Sequence, residues 1–98
     1  MQFGERIKEL RESKELLQRQ LAAKLEIDTP MFSKIERGER KAKKEQVIQL
    51  ANLLNADKDE LLTIWLSEQV YDLVKDEENA LRALKVAEEQ VEYQKRTK

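Results

Sequence analysis

Two short runs of apolar positions, separated by a turn, dominate the hydrophobic pattern in the first half of the chain. Leu21 and Leu25 lie four residues apart and therefore share one face of a helix. Phe32 and Ile35 lie three residues apart and share one face of a second helix. Gly38 follows the second run and is typical of a helix C-terminus. The pattern predicts two short helices joined by a tight turn, which is a helix-turn-helix.

The second of these helices has two possible starts. Asp28 can serve as its N-cap, or Thr29 can be the cap with Pro30 at the first helical position. Both starts are sterically allowed, because proline is tolerated in the first turn of a helix.

The remaining apolar positions predict four further helices. Phe3, Ile7 and Leu10 form the buried stripe of the first. Asp57 and Glu60 have the spacing of a capping box at the start of a long helix that no helix breaker interrupts. Including the two helices of the motif, the predicted helices cover about residues 3–14, 18–25, 29–37, 44–54, 58–75 and 77–95. Two glycines and one proline among 98 residues leave little room for other structure, so the chain is expected to be nearly all helical.

The long helix predicted over residues 58–75 carries apolar residues on more than one face, which is more than a five-helix domain needs to cover. This predicts that a partner shares part of that surface. Ala80, Leu84, Ala87 and Val91 repeat at 4-3-4 spacing, as in a short coiled-coil seam. Trp65 is interpreted as core or interface packing rather than as a ligand-binding aromatic. The candidate residues of a dimer interface are Trp65, Val70, Leu73, Val74, Leu81, Leu84 and Val91.

Charge is distributed unevenly along the chain. Residues 1–56 hold 12 Lys and Arg against 9 Asp and Glu, whereas residues 57–98 hold 7 against 11. The strongest basic concentration lies between residues 34 and 44. Its members are Lys34, Arg37, Arg40, Lys41, Lys43 and Lys44. The first part of the chain is therefore the part suited to a polyanion such as DNA.

A family resemblance rests on the same stretch. Residues 33–40, Ser-Lys-Ile-Glu-Arg-Gly-Glu-Arg, resemble the Ser-Arg-Ile-Glu-Arg-Gly-Lys-Arg signature of the phage-repressor-like (Xre) helix-turn-helix family. Gln18, followed by Leu21 and Ala22, is similar to the start of that family's first motif helix. The resemblance extends from about Phe3 to Leu62. It implies an all-α, lambda-repressor-like five-helix DNA-binding domain over residues 1–66. Residues 67–98 carry no signature of that family, and the helical pattern that continues there predicts a C-terminal helical extension that would serve dimerisation.

The chain departs from this family at two turns. Glu15 and Glu26 stand where relatives usually have glycine. A left-handed backbone at Glu15 would cost about 1 kcal/mol that glycine avoids. The alternative is that the first helix runs further than usual.

The outward positions of the second motif helix are its candidate DNA contacts, since the N-terminal and outward residues of such a helix meet base edges. The resemblance implies base reading by Thr29, Pro30, Ser33 and Lys34. It places Gln18 and Arg37 on phosphates, and the basic run adds Arg40, Lys41, Lys43 and Lys44 as phosphate clamps. Lys34 can donate to guanine O6 and N7. The resemblance also pairs Arg11 with Glu36 as a scaffold, expected to be a surface pair contributing about 0–1 kcal/mol.

Several classes of function find no support in the residues. The chain has no histidine and no cysteine, so histidine base catalysis, cysteine nucleophiles and disulfides are excluded. No glycine-rich phosphate loop or zinc-ligand pattern is present, and no cofactor or small-molecule ligand is expected. No apolar run approaches the ~20 residues of a membrane span. A cytoplasmic protein without enzymatic activity is expected.

The sequence thus favours a DNA-binding transcription regulator that acts as a homodimer on a palindromic operator. A controller protein of a restriction–modification operon is one such role within the family. An antitoxin whose C-terminal helices bind a toxin, and a helical adaptor that binds proteins rather than DNA, remain as alternatives.

Overall fold

The computed structural model describes residues 2–97, which form six helices and no strand. The helices are α1 Phe3–Ser13, α2 Gln18–Leu25, α3 Thr29–Glu36, α4 Lys44–Leu53, α5 Lys58–Val74 and α6 Ala80–Arg96. The chain divides into two compact units, the first ending at Glu68 and the second beginning at Gln69. The predicted all-α fold, a five-helix helix-turn-helix domain with a C-terminal helical extension, is confirmed.

The first unit is held together by one apolar core. Its members come from the helix faces that the apolar periodicity predicts to be buried. The side chains of Ile7, Phe32 and Leu50, for example, are fully enclosed. α3 packs against both α1 and α2, and α2 also packs against α4. The buried apolar residues are Phe3, Ile7, Leu21, Ala22, Leu25, Phe32, Ile35, Ala42, Val47, Leu50, Ala51, Leu54 and Leu61.

Aspartates cap two of the helices. The Asp28 Oδ1 accepts a hydrogen bond from the Met31 backbone N–H at 2.7 Å. Asp28 is therefore the N-cap of α3, and the alternative with Thr29 as the cap is wrong. At the start of α5, the Asp57 Oδ1 accepts from the backbone N–H groups of Asp59 at 2.9 Å and Glu60 at 3.2 Å, which confirms the predicted cap.

Among residues 2–97, three non-glycine residues have left-handed backbones, each at a turn. Glu15, Glu26 and Asn55 have φ of 56°, 59° and 52°. α1 ends at Ser13, so the alternative of a longer first helix is wrong. The turns after α1, α2 and α4 therefore each hold a non-glycine residue in a conformation that costs an L-residue about 1–2 kcal/mol.

α6 begins three residues later than predicted. Glu77 donates its backbone N–H to the Val74 carbonyl at 2.9 Å, and Ala80 donates to the Glu77 carbonyl at 3.2 Å. These bonds fold residues 75–79 into turns after α5. The acidic residues before Asn79 thus precede α6. The prediction that they form its first turn is wrong.

Glu26→Gly is expected to raise the free energy of unfolding by about 0.5–1 kcal/mol, because glycine adopts the left-handed backbone without a Cβ clash. Urea denaturation followed by circular dichroism would measure the change. Lys8→Gly, at an exposed position inside α1, is the matched control and should lower stability by about 1 kcal/mol. A loss of stability in both variants would contradict the strain at Glu26.

Candidate nucleic-acid interface

The orientation of α3 follows from its buried side. The side chains of Phe32 and Ile35 are enclosed in the core, so the opposite side of the helix faces solvent. Of the five outward positions predicted from the sequence, Ser33 is half-buried and four are exposed: Thr29, Pro30, Lys34 and Arg37. The structure therefore brings the four candidate base-reading residues onto one accessible face of one short helix.

A bidentate ion pair fixes the C-terminal end of α3. The Arg11 Nε donates to the Glu36 Oε2 at 2.7 Å, and the Arg11 Nη2 donates to the Glu36 Oε1 at 3.1 Å. The third arm, Nη1, donates to the Leu16 carbonyl at 2.8 Å. Glu36 holds the pKa of Arg11 above its ordinary value by accepting these hydrogen bonds. One guanidinium thus joins α1, the turn before α2, and α3.

This pair is buried, so the expectation of a surface pair is wrong. The side chains of Arg11 and Glu36 are only 10% and 2% exposed. The reason lies at Gly4 in α1, where a Cβ atom would overlap the backbone carbonyl oxygens of Ile35 and Glu36. Because glycine lets α1 approach the end of α3 so closely, the ion pair between the two helices is shielded from water.

Gln18 adds α2 to the same network. Its Nε2 donates to the Glu36 Oε1 at 2.9 Å. Within the described residues, every buried side-chain nitrogen and oxygen has a hydrogen-bond partner. Glu36, the last residue of α3, therefore accepts hydrogen bonds from both α1 and α2. The Gln18 amide retains one N–H and its carbonyl oxygen for a further contact.

Arg37, the first residue after α3, is bound to its own chain. Its Nε and Nη2 donate to the Glu39 carboxylate at 2.8 Å and 3.2 Å, and its Nη1 donates to the Ser33 Oγ. Arg37 also lowers the pKa of the Glu39 carboxyl below its ordinary value through these hydrogen bonds. The predicted phosphate ligand Arg37 and the predicted base reader Ser33 are thus in direct contact.

Trp65 of α5 holds the basic loop after α3. Its Nε1 donates to the Ala42 carbonyl at 2.8 Å, and the Ala42 side chain is buried in the core. Lys41 and Lys43, on either side of Ala42, have exposed side chains. The remaining predicted clamps, Arg40 and Lys44, are exposed as well. The loop therefore presents its cations to solvent from an anchored backbone.

A family model described as a helix-turn-helix domain matches residues 2–63. The chain belongs to the helix-turn-helix domain family. No curated protein and no solved structure matches it. The matched range covers α1 to α4 and the first turns of α5, so it includes the whole candidate interface. Helix-turn-helix domains bind DNA by placing their second motif helix in the major groove, and α3 occupies that position here.

Outside the helix-turn-helix domain, the second unit carries the other predicted residues. Leu73 and Leu81 are 78% and 83% exposed, and Val70 and Val91 are also exposed. Val74 and Leu84 are half-buried, while Trp65 belongs to the first unit.

Across residues 2–97 no helix is both long and apolar enough to cross a membrane. The same residues contain no group of acidic side chains that could hold a metal ion.

Sequence reasoning missed two residues that shape the helix-turn-helix domain. Gln20 accepts from the Leu17 backbone N–H at 2.7 Å and closes the start of α2, although Leu17 itself has no side chain that can cap. A glutamine at the third helical position is half of a capping box and could have indicated this bond. The second missed residue is Gly4, where α1 closely approaches the end of α3. Its position inside a helical pattern could have indicated this contact, since such a glycine often has a packing reason.

Arg11→Met is expected to lower the free energy of unfolding by about 3 kcal/mol, because it leaves the buried Glu36 carboxylate without its cation. Thermal and urea denaturation would measure the loss. The double variant Arg11→Met, Glu36→Leu should recover most of it, since an apolar pair of similar volume leaves no buried charge. A double variant as unstable as the single one would contradict the proposed origin of the loss.

Proposed function

We propose that the protein is a sequence-specific transcription regulator that places α3 in the major groove of DNA. The observation that carries the proposal is the fixed, solvent-facing side of α3 beside an anchored basic loop, within a helix-turn-helix domain. Bases are then read by α3, and phosphates on either side are held by residues outside it.

Base reading falls to Thr29, Pro30, Ser33 and Lys34. Lys34 is exposed and can donate to guanine O6 and N7, the commonest specific contact in the major groove. Pro30 has no side-chain hydrogen-bonding group, so it reads by contact with a thymine methyl. Thr29 and Ser33 can donate or accept, which suits either strand of a base pair.

Phosphate binding falls to the cations around α3 and to Gln18. Arg37, Arg40 and Lys41 follow α3 directly, and Lys43 and Lys44 lie at the start of α4. Such contacts set the register of the protein on the duplex and make its affinity depend on salt. They carry no sequence information, so they add affinity for every duplex alike.

A homodimer would double the length of DNA that is read. One helix contacts only a few base pairs, whereas two copies about 34 Å apart read the two halves of a palindrome. The apolar residues of the second unit, including exposed Val91 and half-buried Leu84 of the seam, are the candidate interface. A controller protein of a restriction–modification operon would have this design.

Selection of bound sequences from a random duplex pool tests the proposal. Enrichment of a palindrome with half-sites about one helical turn apart is the expected result. Binding that enriches no sequence and vanishes at moderate salt would leave only nonspecific charge attraction and would contradict sequence reading.

Lys34→Ala and Lys41→Ala should have different effects on DNA binding. Lys34→Ala should change the selected sequence, because it removes a base contact. Lys41→Ala should weaken binding to selected and random duplexes alike and reduce the salt slope by about 0.9. Titrations at several salt concentrations measure both, with Lys85→Ala in α6 as the control for loss of charge. Equal effects of both variants on all duplexes would contradict the orientation of α3.

Sedimentation of the free protein tests the homodimer. The wild type is expected to have twice the chain mass of 11.6 kDa, and Val91→Asp should be monomeric because it places a charge in the seam. Tyr93→Asp changes an exposed residue of the same helix outside the seam and should remain dimeric. A monomeric wild type would contradict the homodimer and direct the search to a different protein partner for residues 67–98.

A further inference from the structure

One contact at the proposed DNA-facing end of α3 occupies a side chain that is predicted to bind a phosphate. Glu39 accepts two hydrogen bonds from the Arg37 guanidinium, at 2.8 Å to Nε and 3.2 Å to Nη2. Both side chains are more than half exposed, at 52% for Arg37 and 56% for Glu39. The fork of Arg37 that would fit a phosphate is therefore already occupied by a carboxylate, whose geometry is similar.

Glu39 lies within the most basic stretch of the chain. The stretch from Lys34 to Lys44 contains six cations and two acids, Glu36 and Glu39. Glu36 is buried in its pair with Arg11 and faces the core, so it is screened from an approaching duplex. Glu39 is the acid that a duplex would meet at the surface of this stretch.

The geometry of the turn brings the two residues together. Residues two apart on a regular helix do not face each other. Here α3 ends at Glu36, and Gly38 has a φ of 77°, which reverses the chain so that Glu39 returns towards Arg37. The Glu39 backbone N–H donates to the Lys34 carbonyl at 2.9 Å and fixes this return. The contact is therefore built into the C-terminal turn of α3.

We propose that Glu39 is an intramolecular competitor of the DNA phosphate for Arg37. The inference rests on the proposed function, because it concerns how the same surface binds DNA. In the free protein Glu39 holds the guanidinium, and a duplex must displace the carboxylate before Arg37 can reach a phosphate. Glu39 thus acts as a positioning residue that limits affinity for every duplex, since phosphate contacts are independent of sequence.

The exchange has a distinct dependence on salt. A cation of the protein that binds a phosphate releases counterions from DNA and adds about 0.9 to the salt slope. Where Glu39 keeps Arg37 in the wild-type complex, however, the neighbouring phosphate keeps its counterions. The net release from this contact is therefore small in the wild type, and replacing Glu39 by a neutral residue should restore it.

Titration of four proteins with one labelled random-sequence duplex tests the inference. The proteins are the wild type, Glu39→Gln, Arg37→Met and the double variant, each measured at several salt concentrations. Glu39→Gln should bind about three- to fivefold more tightly than the wild type at low salt, the size expected for one exposed ion pair. Its salt slope should be steeper by about 0.9. In the Arg37→Met background, Glu39→Gln should change the logarithm of the affinity by less than about half as much as it does in the wild type.

The controls separate competition from simple repulsion. Glu88→Gln removes one negative charge from exposed α6 and should leave affinity unchanged. If Glu39 only repelled DNA through its charge, Glu39→Gln would tighten binding equally with and without Arg37, which would overturn the inference. An unchanged affinity of Glu39→Gln would overturn it as well. If neither the wild type nor Glu39→Gln bound DNA at low salt, the proposed function would fail together with the inference.

Discussion

The buried ion pair between Arg11 and Glu36 is the interaction on which the geometry of the candidate interface depends. It joins α1 to the last residue of α3, and its remaining hydrogen bonds reach the Leu16 carbonyl and the Gln18 amide. Removing two charges from water costs free energy unless their polar atoms form hydrogen bonds. Within the described residues, every buried polar side-chain atom has a hydrogen-bond partner, including those of Arg11 and Glu36. The pair therefore specifies one arrangement of the three helices, and with it the direction in which the free side of α3 points.

Two further hydrogen bonds position the surface around α3. Trp65 binds the Ala42 carbonyl and anchors the loop that carries Lys41 and Lys43, so these cations extend from a fixed backbone. Asp28 begins α3 with a capped N-terminus, which leaves Thr29 and Pro30 in the exposed first turn. A helix of eight residues has little stability of its own. Its shape and orientation come from the core, the cap and the ion pair together.

The sequence was sufficient for features that depend on local patterns. The spacing of Leu21, Leu25, Phe32 and Ile35 predicted both motif helices, because apolar periodicity reports directly which side of a helix is buried. Local sequence patterns did not decide between two helix starts that both fit the sequence. Asp28 and Thr29 are both good caps, and only the observed bond to Met31 decides between them.

Features that depend on distant residues could not be predicted in the same way. The burial of Arg11 and Glu36 depends on the close approach at Gly4, and the role of Trp65 depends on a loop 23 positions earlier. The contact between Arg37 and Glu39 lies beyond the end of α3, where the helical spacing rule does not apply, and depends on the left-handed backbone of Gly38.

A titration of the isotopically labelled protein with its selected duplex, followed by amide NMR, tests the central claim most directly. The account predicts that the largest shift changes fall at Gln18, in the exposed half of α3 and in the loop over residues 39–43. It predicts small changes at the core positions of α1. Changes confined to residues 69–97, or no change at any ratio of duplex to protein, would contradict the claim that α3 and its flanking cations contact DNA.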